Sequence, residues 1–311
     1  MILKPASRDD LSAQLAEAST AGRKFTGADL TALAALVQHH PEDMTATVEA
    51  GLTLAEFQKR LCPSGQWLPL DPPSVYSLSI GDLLAHDRFG PRRLGYGRAR
   101  DYLIGVKVAL ADGTLIKAGG NVVKNVAGYD LCKLFIGARH TLGIICEATF
   151  KLLPLPEKEA FVRARAGSLD ELEACRKRLL ASPVEPVLFD AHNLEGAITL
   201  VAAFAGSNED VVAQVEIARA AGFEPAMNET NYMERFHRGD PAQTLSVLPS
   251  QITEAIRKAG GDQWIAHLGF GHLRYRGGKA FKMETNSVLE TRLKDAYDPK
   301  RILELINDGA A

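Results

Sequence analysis

Apolar positions recur along this chain in two rhythms, and each rhythm predicts its own kind of element. Leu11, Leu15 and Ala18 fall on one face of a helical repeat. Ser7 stands before them as a cap, Asp9 and Asp10 fill the first turn, and Gly22 stops the repeat. Residues 45–50 (TATVEA) alternate and are β-branched, so they read as a strand that Gly51 ends. Thr53 caps a helix over residues 54–61, with Glu56 three positions on as a capping box. Residues 102–110 and 114–118 read as strands joined by a hairpin turn at Ala111-Asp112-Gly113. Residues 23–25 are a brief strand, 30–37 an apolar run, and 77–101 a Gly- and Arg-rich, partly regular stretch. Residues 130–136 look helical and 144–150 form a strand.

Pro154 and Pro156 mark a boundary, after which strands, helices and hairpins follow one another as in an α+β domain. Strands are expected at residues 160–164, 186–190, 197–204 and 246–250, and helices at 168–180, 207–221 and 251–259. Residues 264–267 and 271–275 pair as a hairpin, and a last helix covers 285–297.

Composition narrows the classes. The 311 residues are 46% hydrophobic and 24% charged, enough for two domains with a substantial core. A net charge of −2 offers nothing to attract nucleic acid or an anionic membrane. Cys62, Cys132, Cys146 and Cys175 show no metal-ligand spacing and read as reduced thiols of a cytoplasmic protein. No window approaches the ~20 apolar residues a membrane span requires, and the first residues do not read as a signal peptide.

The chemistry concentrates in residues 119–156, where glycines punctuate short apolar runs around Lys124-Asn125 and Tyr129-Asp130. Glycines at turns let backbone approach a neighbour closely. The stretch reads as a backbone surface shaped for a flat, polar-edged ligand. His267 and His272 sit in the expected hairpin and read as structural histidines. Trp67 and Trp264 read as core.

Several blocks resemble one family: flavoproteins with the two-part FAD domain of the vanillyl-alcohol-oxidase, or PCMH, type, and within it the smaller FAD-binding subunits of bacterial glycolate oxidases. They are residues 45–51 (TATVEAG), 52–61, 68–73 (LPLDPP), 79–81, 90–93 (GPRR) with Gly97, 100–105, 119–131 (GGNVVKNVAGYDL), 141–145 (TLGII) and 151–154. In the second half, residues 248–250, 264–271 and 298–303 are similar as well. The resemblance implies an α+β fold: a two-part FAD domain over residues 1–156, a smaller α+β domain over 157–284, and a segment, 285–311, returning to the FAD domain. It implies non-covalent FAD held by Ser79, Ile80, Gly81, Gly90, Gly97 and Asp101 in one cluster. A second cluster would be Lys124, Asn125, Gly128, Tyr129, Gly143 and Ile145. It implies a larger flavin subunit and an iron–sulfur subunit as partners, in the cytoplasm or peripheral to the inner membrane through them. Catalytic residues are not identified, and no metal ligands are assigned.

The chain also departs from the pattern. The family's loop of consecutive glycines has no counterpart, since only Thr26-Gly27 separates Phe25 from Ala28. Asp82 stands where a second glycine follows Gly81 in the family, His140 replaces the glycine before Thr141, and Glu304-Leu305-Ile306 replaces the family's closing Asn-Pro-Gly. Two readings follow. The chain is an FAD-binding subunit of a glycolate-oxidase-like 2-hydroxy-acid oxidoreductase, or it is a structural subunit of such a complex in which FAD binding has been lost.

Overall fold

The computed structural model describes residues 2–120, 131–194, 196–227, 231–237, 242–281 and 287–304. The fold is α+β, and the chain divides into two compact units. The first comprises Met1–Phe89, Arg98–Leu155 and Glu284–Asp308; the second comprises Gly90–Gly97, Pro156–Met283 and Gly309–Ala311.

The first unit opens with β1 (Ile2–Leu3), α1 (Arg8–Ala21) and β2 (Gly27–Ala28), with β1 and β2 parallel. Ser7 caps α1 by accepting the Asp10 N–H at 3.1 Å. Gly22 ends the helix in the left-handed conformation, with its N–H on the Ala18 carbonyl. Leu11, Leu15 and Ala18 are buried, so the helical repeat is the face turned to the core. Next come β3 (Leu36–His40), β4 (Thr45–Glu49), α2 (Leu54–Leu61), β5 (Gln66–Trp67) and α3 (Ile80–Ala85). The chain then passes through α4 (Arg93–Tyr96), which belongs to the second unit. It continues with α5 (Ala99–Tyr102), β6 (Leu103–Ala109), β7 (Leu115–Gly119), α6 (Cys132–Phe135), β8 (Ile144–Lys151) and β9 (Leu153–Pro154).

Five strands form an antiparallel sheet in the order β3-β4-β8-β6-β7. Ile144 to Phe150 are all buried because β8 lies at the centre. Thr47 and Thr149, opposite each other, share a 2.9 Å hydrogen bond. One register step away, buried Glu147 faces Lys107 at 2.8 Å and also takes Arg8 at 2.5 Å. A buried carboxylate persists when it is paired and hydrogen-bonded. The chain returns at its end: the Phe25 N–H donates to the Ile302 carbonyl at 2.7 Å, and the Glu304 N–H to the Phe25 carbonyl at 2.9 Å.

The second unit is built on β10 (Lys158–Ala166), α7 (Leu169–Leu180), β11 (Leu188–His192), β12 (Ile198–Gly206), α8 (Asn208–Ala220), β13 (Glu224–Ala226) and α9 (Asn231–His237). β14 (Gln243–Ser246), α10 (Ile252–Ala259), β15 (Gln263–His267) and β16 (His272–Arg276) complete it, and α11 (Ser287–Tyr297) goes back to the first unit. Its seven strands form one antiparallel sheet in the order β13-β10-β12-β11-β15-β16-β14. One core carries Leu172, Leu179, Phe189, Phe204 and Ile256. A smaller one gathers Phe161, Leu188 and Ile265 with Tyr232 and Phe236 of α9.

Two expectations shift. The strand expected at residues 246–250 ends at Ser246, because Pro249 starts a short 3-10 turn and has no N–H for a ladder. The brief strand expected at 23–25 is displaced to β2, and Phe25 itself pairs with Leu303 through an isolated bridge.

One ion pair in the second unit makes a pH prediction. Glu173 of α7 receives two hydrogen bonds from the Arg176 guanidinium, at 2.8 and 2.9 Å, and one from Thr253 at 2.7 Å. The Arg176 bond, against the opposing effect of burial, holds its carboxyl at about 2, down from 4.5. A lowered folded-state value means stability that is present above the unfolded-state value and lost as pH falls toward the folded one. Glu173→Gln is therefore expected to cost about 2 kcal/mol at neutral pH, after allowing for partial solvent screening. The difference from the parent should shrink between pH 4.5 and 2 in thermal melts, and a constant difference would show that the charge is not its source.

Candidate functional site

The start of α3 is where the sequence places Ser79, Ile80 and Gly81, and the structure brings these three together with Asp82. Ser79 is the N-cap: its hydroxyl accepts the Asp82 N–H at 3.0 Å and donates to the Asp82 carboxylate at 2.7 Å. The first backbone donors of a helix have no partner within it and must find one elsewhere. Here those of Ile80, Gly81 and Asp82 are taken. The Ile80 N–H donates to the Leu52 carbonyl at 2.9 Å, and the Gly81 N–H to the Ala50 carbonyl at 2.7 Å. The Leu83 N–H donates to the Ser79 carbonyl at 2.8 Å. Gly81 is small for a packing reason, since a Cβ there would lie 3.1 Å from the Ala50 Cβ.

The turn that precedes β8 is tied to α3. Gly137 N–H donates to the Leu84 carbonyl at 2.9 Å, and Arg139 N–H to the Ala85 carbonyl at 2.8 Å. Arg139 and His140 follow with φ of 50° and 58°, the left-handed region that a glycine would enter freely. This turn sets the His140 Nε2 3.6 Å from the Asp82 carboxylate. His86, one turn beyond Asp82, places its ring 6.2 Å from that of His140. Burial works against ionisation of Asp82, yet the His140 ring and the Ser79 hydroxyl together hold its carboxyl below the ordinary range.

Gly143 and Ile145 lie at the start of β8. Ile145 is buried, and a Cβ at Gly143 would come within 2.6 Å of Val108 Cγ1, so this glycine admits β6. Asp101 caps α5, accepting the Arg98 N–H at 2.8 Å. Gly90 and Gly97 belong to the second unit, where they bracket α4. The Gly90 carbonyl accepts the Arg93 N–H at 3.2 Å, and Gly97, with φ 85°, closes the helix on the Arg93 carbonyl. Lys124, Asn125, Gly128 and Tyr129 lie outside the described residues.

Two cavities border these elements. A space of about 10 Å³ lies among Phe25, Gly27, Ala28, His140, Ile144 and Glu304. That is about one water molecule, against the several hundred Å³ of a typical ligand pocket. A larger cavity of about 410 Å³ is lined by Arg8, Leu33, Glu49, Lys107, Lys117 and Cys146. Burial, with Glu147 adding to it, pushes the Cys146 thiol up to about 12, so it is a protonated donor to the Lys107 carbonyl and no nucleophile at neutral pH. The sequence did not reveal this cavity or the Arg8–Glu147–Lys107 group. Only the cap at Ser7 and the alternation of β4 hint at where they would meet.

In the second unit His267 is buried with its Nδ1 2.9 Å from both Asp190 oxygens, and Tyr232 donates to Asp190 at 2.6 Å. His272 shares a 3.0 Å hydrogen bond with Ser246. Among the described residues no three His, Cys, Asp or Glu side chains are grouped to hold a metal ion, and no helix is long and apolar enough to cross a membrane.

A diphosphate needs several convergent N–H donors and no nearby anion. The described residues at the start of α3 do not fit one, because their donors are spent on Ala50, Leu52 and Ser79 and a carboxylate stands beside them.

Comparison with known proteins shows what parts of the chain are similar to. Residues 26–119 match the family model described as FAD binding domain. The chain is 37% identical over 149 residues to glycolate oxidase subunit GlcD of Bacillus subtilis, covering 48% of this chain and 32% of that protein. It is 35% identical over 153 residues to glycolate oxidase subunit GlcE of Escherichia coli, covering 48% of this chain and 43% of that protein. The match thus spans less than half the length of either relative. A solved alkyldihydroxyacetonephosphate synthase structure superposes with a TM-score of 0.72 at 15% identity, covering 97% of this chain and 75% of that one, which shows a shared fold. Residues 26–119 are therefore similar to that FAD binding domain family, the α+β fold is shared with the synthase, and FAD is the cofactor to which the match points.

Proposed function

We propose that this chain is a subunit of a glycolate-oxidase-like complex that oxidises 2-hydroxy acids with non-covalent FAD. The observation that carries the reading is the FAD binding domain match at residues 26–119, in a chain of which 48% is 37% and 35% identical to two glycolate oxidase subunits. Both relatives are subunits by name, so the activity belongs to an assembly, with a larger flavin subunit and an iron–sulfur subunit as its other members. FAD supplies the redox chemistry in such enzymes, and the protein supplies binding and orientation.

The occupied donors at Ile80, Gly81 and Asp82 favour a second reading within the same complex: a structural subunit whose partner holds the working flavin.

The test is to purify the 311-residue chain with and without its partner subunits. Visible spectra and glycolate-dependent dye reduction are then recorded. The expected result is an active, yellow complex whose activity falls at least tenfold when this chain is omitted. Full activity without the chain, or failure to assemble, removes both readings. A colourless isolated chain that restores activity to its partners selects the structural one.

A further inference from the structure

Two positions that the sequence marks as unusual meet in the structure. Asp82 sits at the third position of α3 and His140 in the turn before β8, and their side chains are 3.6 Å apart. Ser79 completes the group through its 2.7 Å hydrogen bond to the same carboxylate. A carboxylate in the first turn of a helix, opposite an imidazole and on a hydroxyl, stands as a bound anion would. The backbone agrees, since Ile80, Gly81 and Asp82 give their N–H groups to protein acceptors. The space that His140 lines with Phe25, Gly27 and Ala28 is about 10 Å³. Glu304, also lining that space, is held by Lys24 at 2.9 Å.

We propose that the Asp82–His140 pair is an internal latch that takes the place of a ligand's diphosphate at the start of α3. Through it, the chain alone binds FAD and adenosine diphosphate only weakly. This rests on reading residues 26–119 as the FAD domain of an oxidoreductase subunit, and it names what governs the ligand affinity of that domain. Asp82 supplies the negative charge that repels a diphosphate. His140 orients that charge, and the turn carrying His140 closes the space beside it. The Ser79 cap would survive loss of the charge, because its hydroxyl still accepts the N–H of position 82.

The experiment measures binding of FAD, adenosine diphosphate and adenosine to the full chain by calorimetry. The parent is compared with Asp82→Asn and with the double variant Asp82→Gly/His140→Gly. Asp82→Asn keeps the fold of α3 and removes only charge, so it serves if the double variant fails to fold. Asp82→Asn is expected to tighten FAD and adenosine diphosphate about tenfold and to leave adenosine, which has no phosphate, unchanged. The double variant should gain at least as much. Affinities that stay within twofold, an equal gain for adenosine, or a parent chain that binds FAD one-to-one below micromolar concentration would each overturn the latch. A phosphate-specific gain alongside an inactive complex keeps the latch and removes the functional reading; an active complex with unchanged affinities does the reverse.

Discussion

Gly51→Ala is expected to lower the stability of the first unit by about 3–5 kcal/mol, a large part of the 5–15 kcal/mol that holds a typical domain. Gly51 follows β4 and donates its N–H to the Leu33 carbonyl at 2.8 Å. A Cβ on it would overlap the Leu30 carbonyl and come to 2.8 Å of the Leu33 oxygen. Both neighbours are backbone, so neither can move as a flexible side chain would, and overpacking against them forces the main chain apart. The turn at Leu30 to Leu33 is the piece of chain that follows the short Thr26-Gly27 connection, with the Leu33 N–H on the Leu30 carbonyl at 2.8 Å. Gly65→Ala is the contrast: nothing stands within 4 Å of its added Cβ, and only the left-handed φ of 65° is penalised, by about 1 kcal/mol. Hydrogen exchange of the β4 amides measures both, because it reports one unit at a time. A Gly51→Ala chain whose β4 protection drops by less than tenfold would show that the Leu30–Leu33 turn is not fixed in place.

The same geometry shows what was legible in the sequence. The helices α1, α2, α7 and α8 could be read to within a residue or two at their starts, because each begins at a Ser or Thr whose hydroxyl accepts an N–H of the first turn. β8 was legible from its mostly apolar residues after Gly143, and the β6–β7 and β15–β16 hairpins from alternation around a turn. The helix expected at residues 130–136 is the four-residue α6 within the described part, and α9 was not foreseen. Both are short helices on existing cores, where packing outweighs propensity. The glycines of the candidate site were legible as glycines, and their reasons were not. Gly81 and Gly143 are small because Ala50 and Val108 press on them, which is set by sheet register. Nor does spacing show that the N–H groups of Ile80 and Gly81 are spent on the carbonyls of Leu52 and Ala50, or that Asp82 finds His140. Those are long-range pairings, and a glycine-rich motif alone cannot distinguish a cradle from a closed joint.

Asp298→Ala is expected to cost about 3–5 kcal/mol, the range found when one member of a buried pair is removed. Asp298 is fully buried at the end of α11. Its carboxylate accepts the Ile302 N–H at 3.0 Å and the Leu303 N–H at 2.9 Å, and holds the Lys294 ammonium at 2.6 Å. The same ammonium donates to the Thr141 carbonyl at 2.6 Å and to the Leu303 carbonyl. One ion pair thus ties α11 to the turn before β8 and to Leu303, which bridges to Phe25. Loss of the carboxylate strands two backbone donors and an ammonium together, and each carries its own desolvation cost. Asp298→Asn should cost roughly half as much, since one oxygen remains to accept. The Phe25 and Glu304 amides, hydrogen-bonded on either side of the Phe25–Leu303 bridge, should exchange faster in Asp298→Ala than amides of the second unit. A double-mutant cycle with Lys294→Met should give a coupling of at least about 1.5 kcal/mol. A coupling near zero would mean that the backbone of residues 302–304 holds its place without the pair, fixed by its bridge to Phe25.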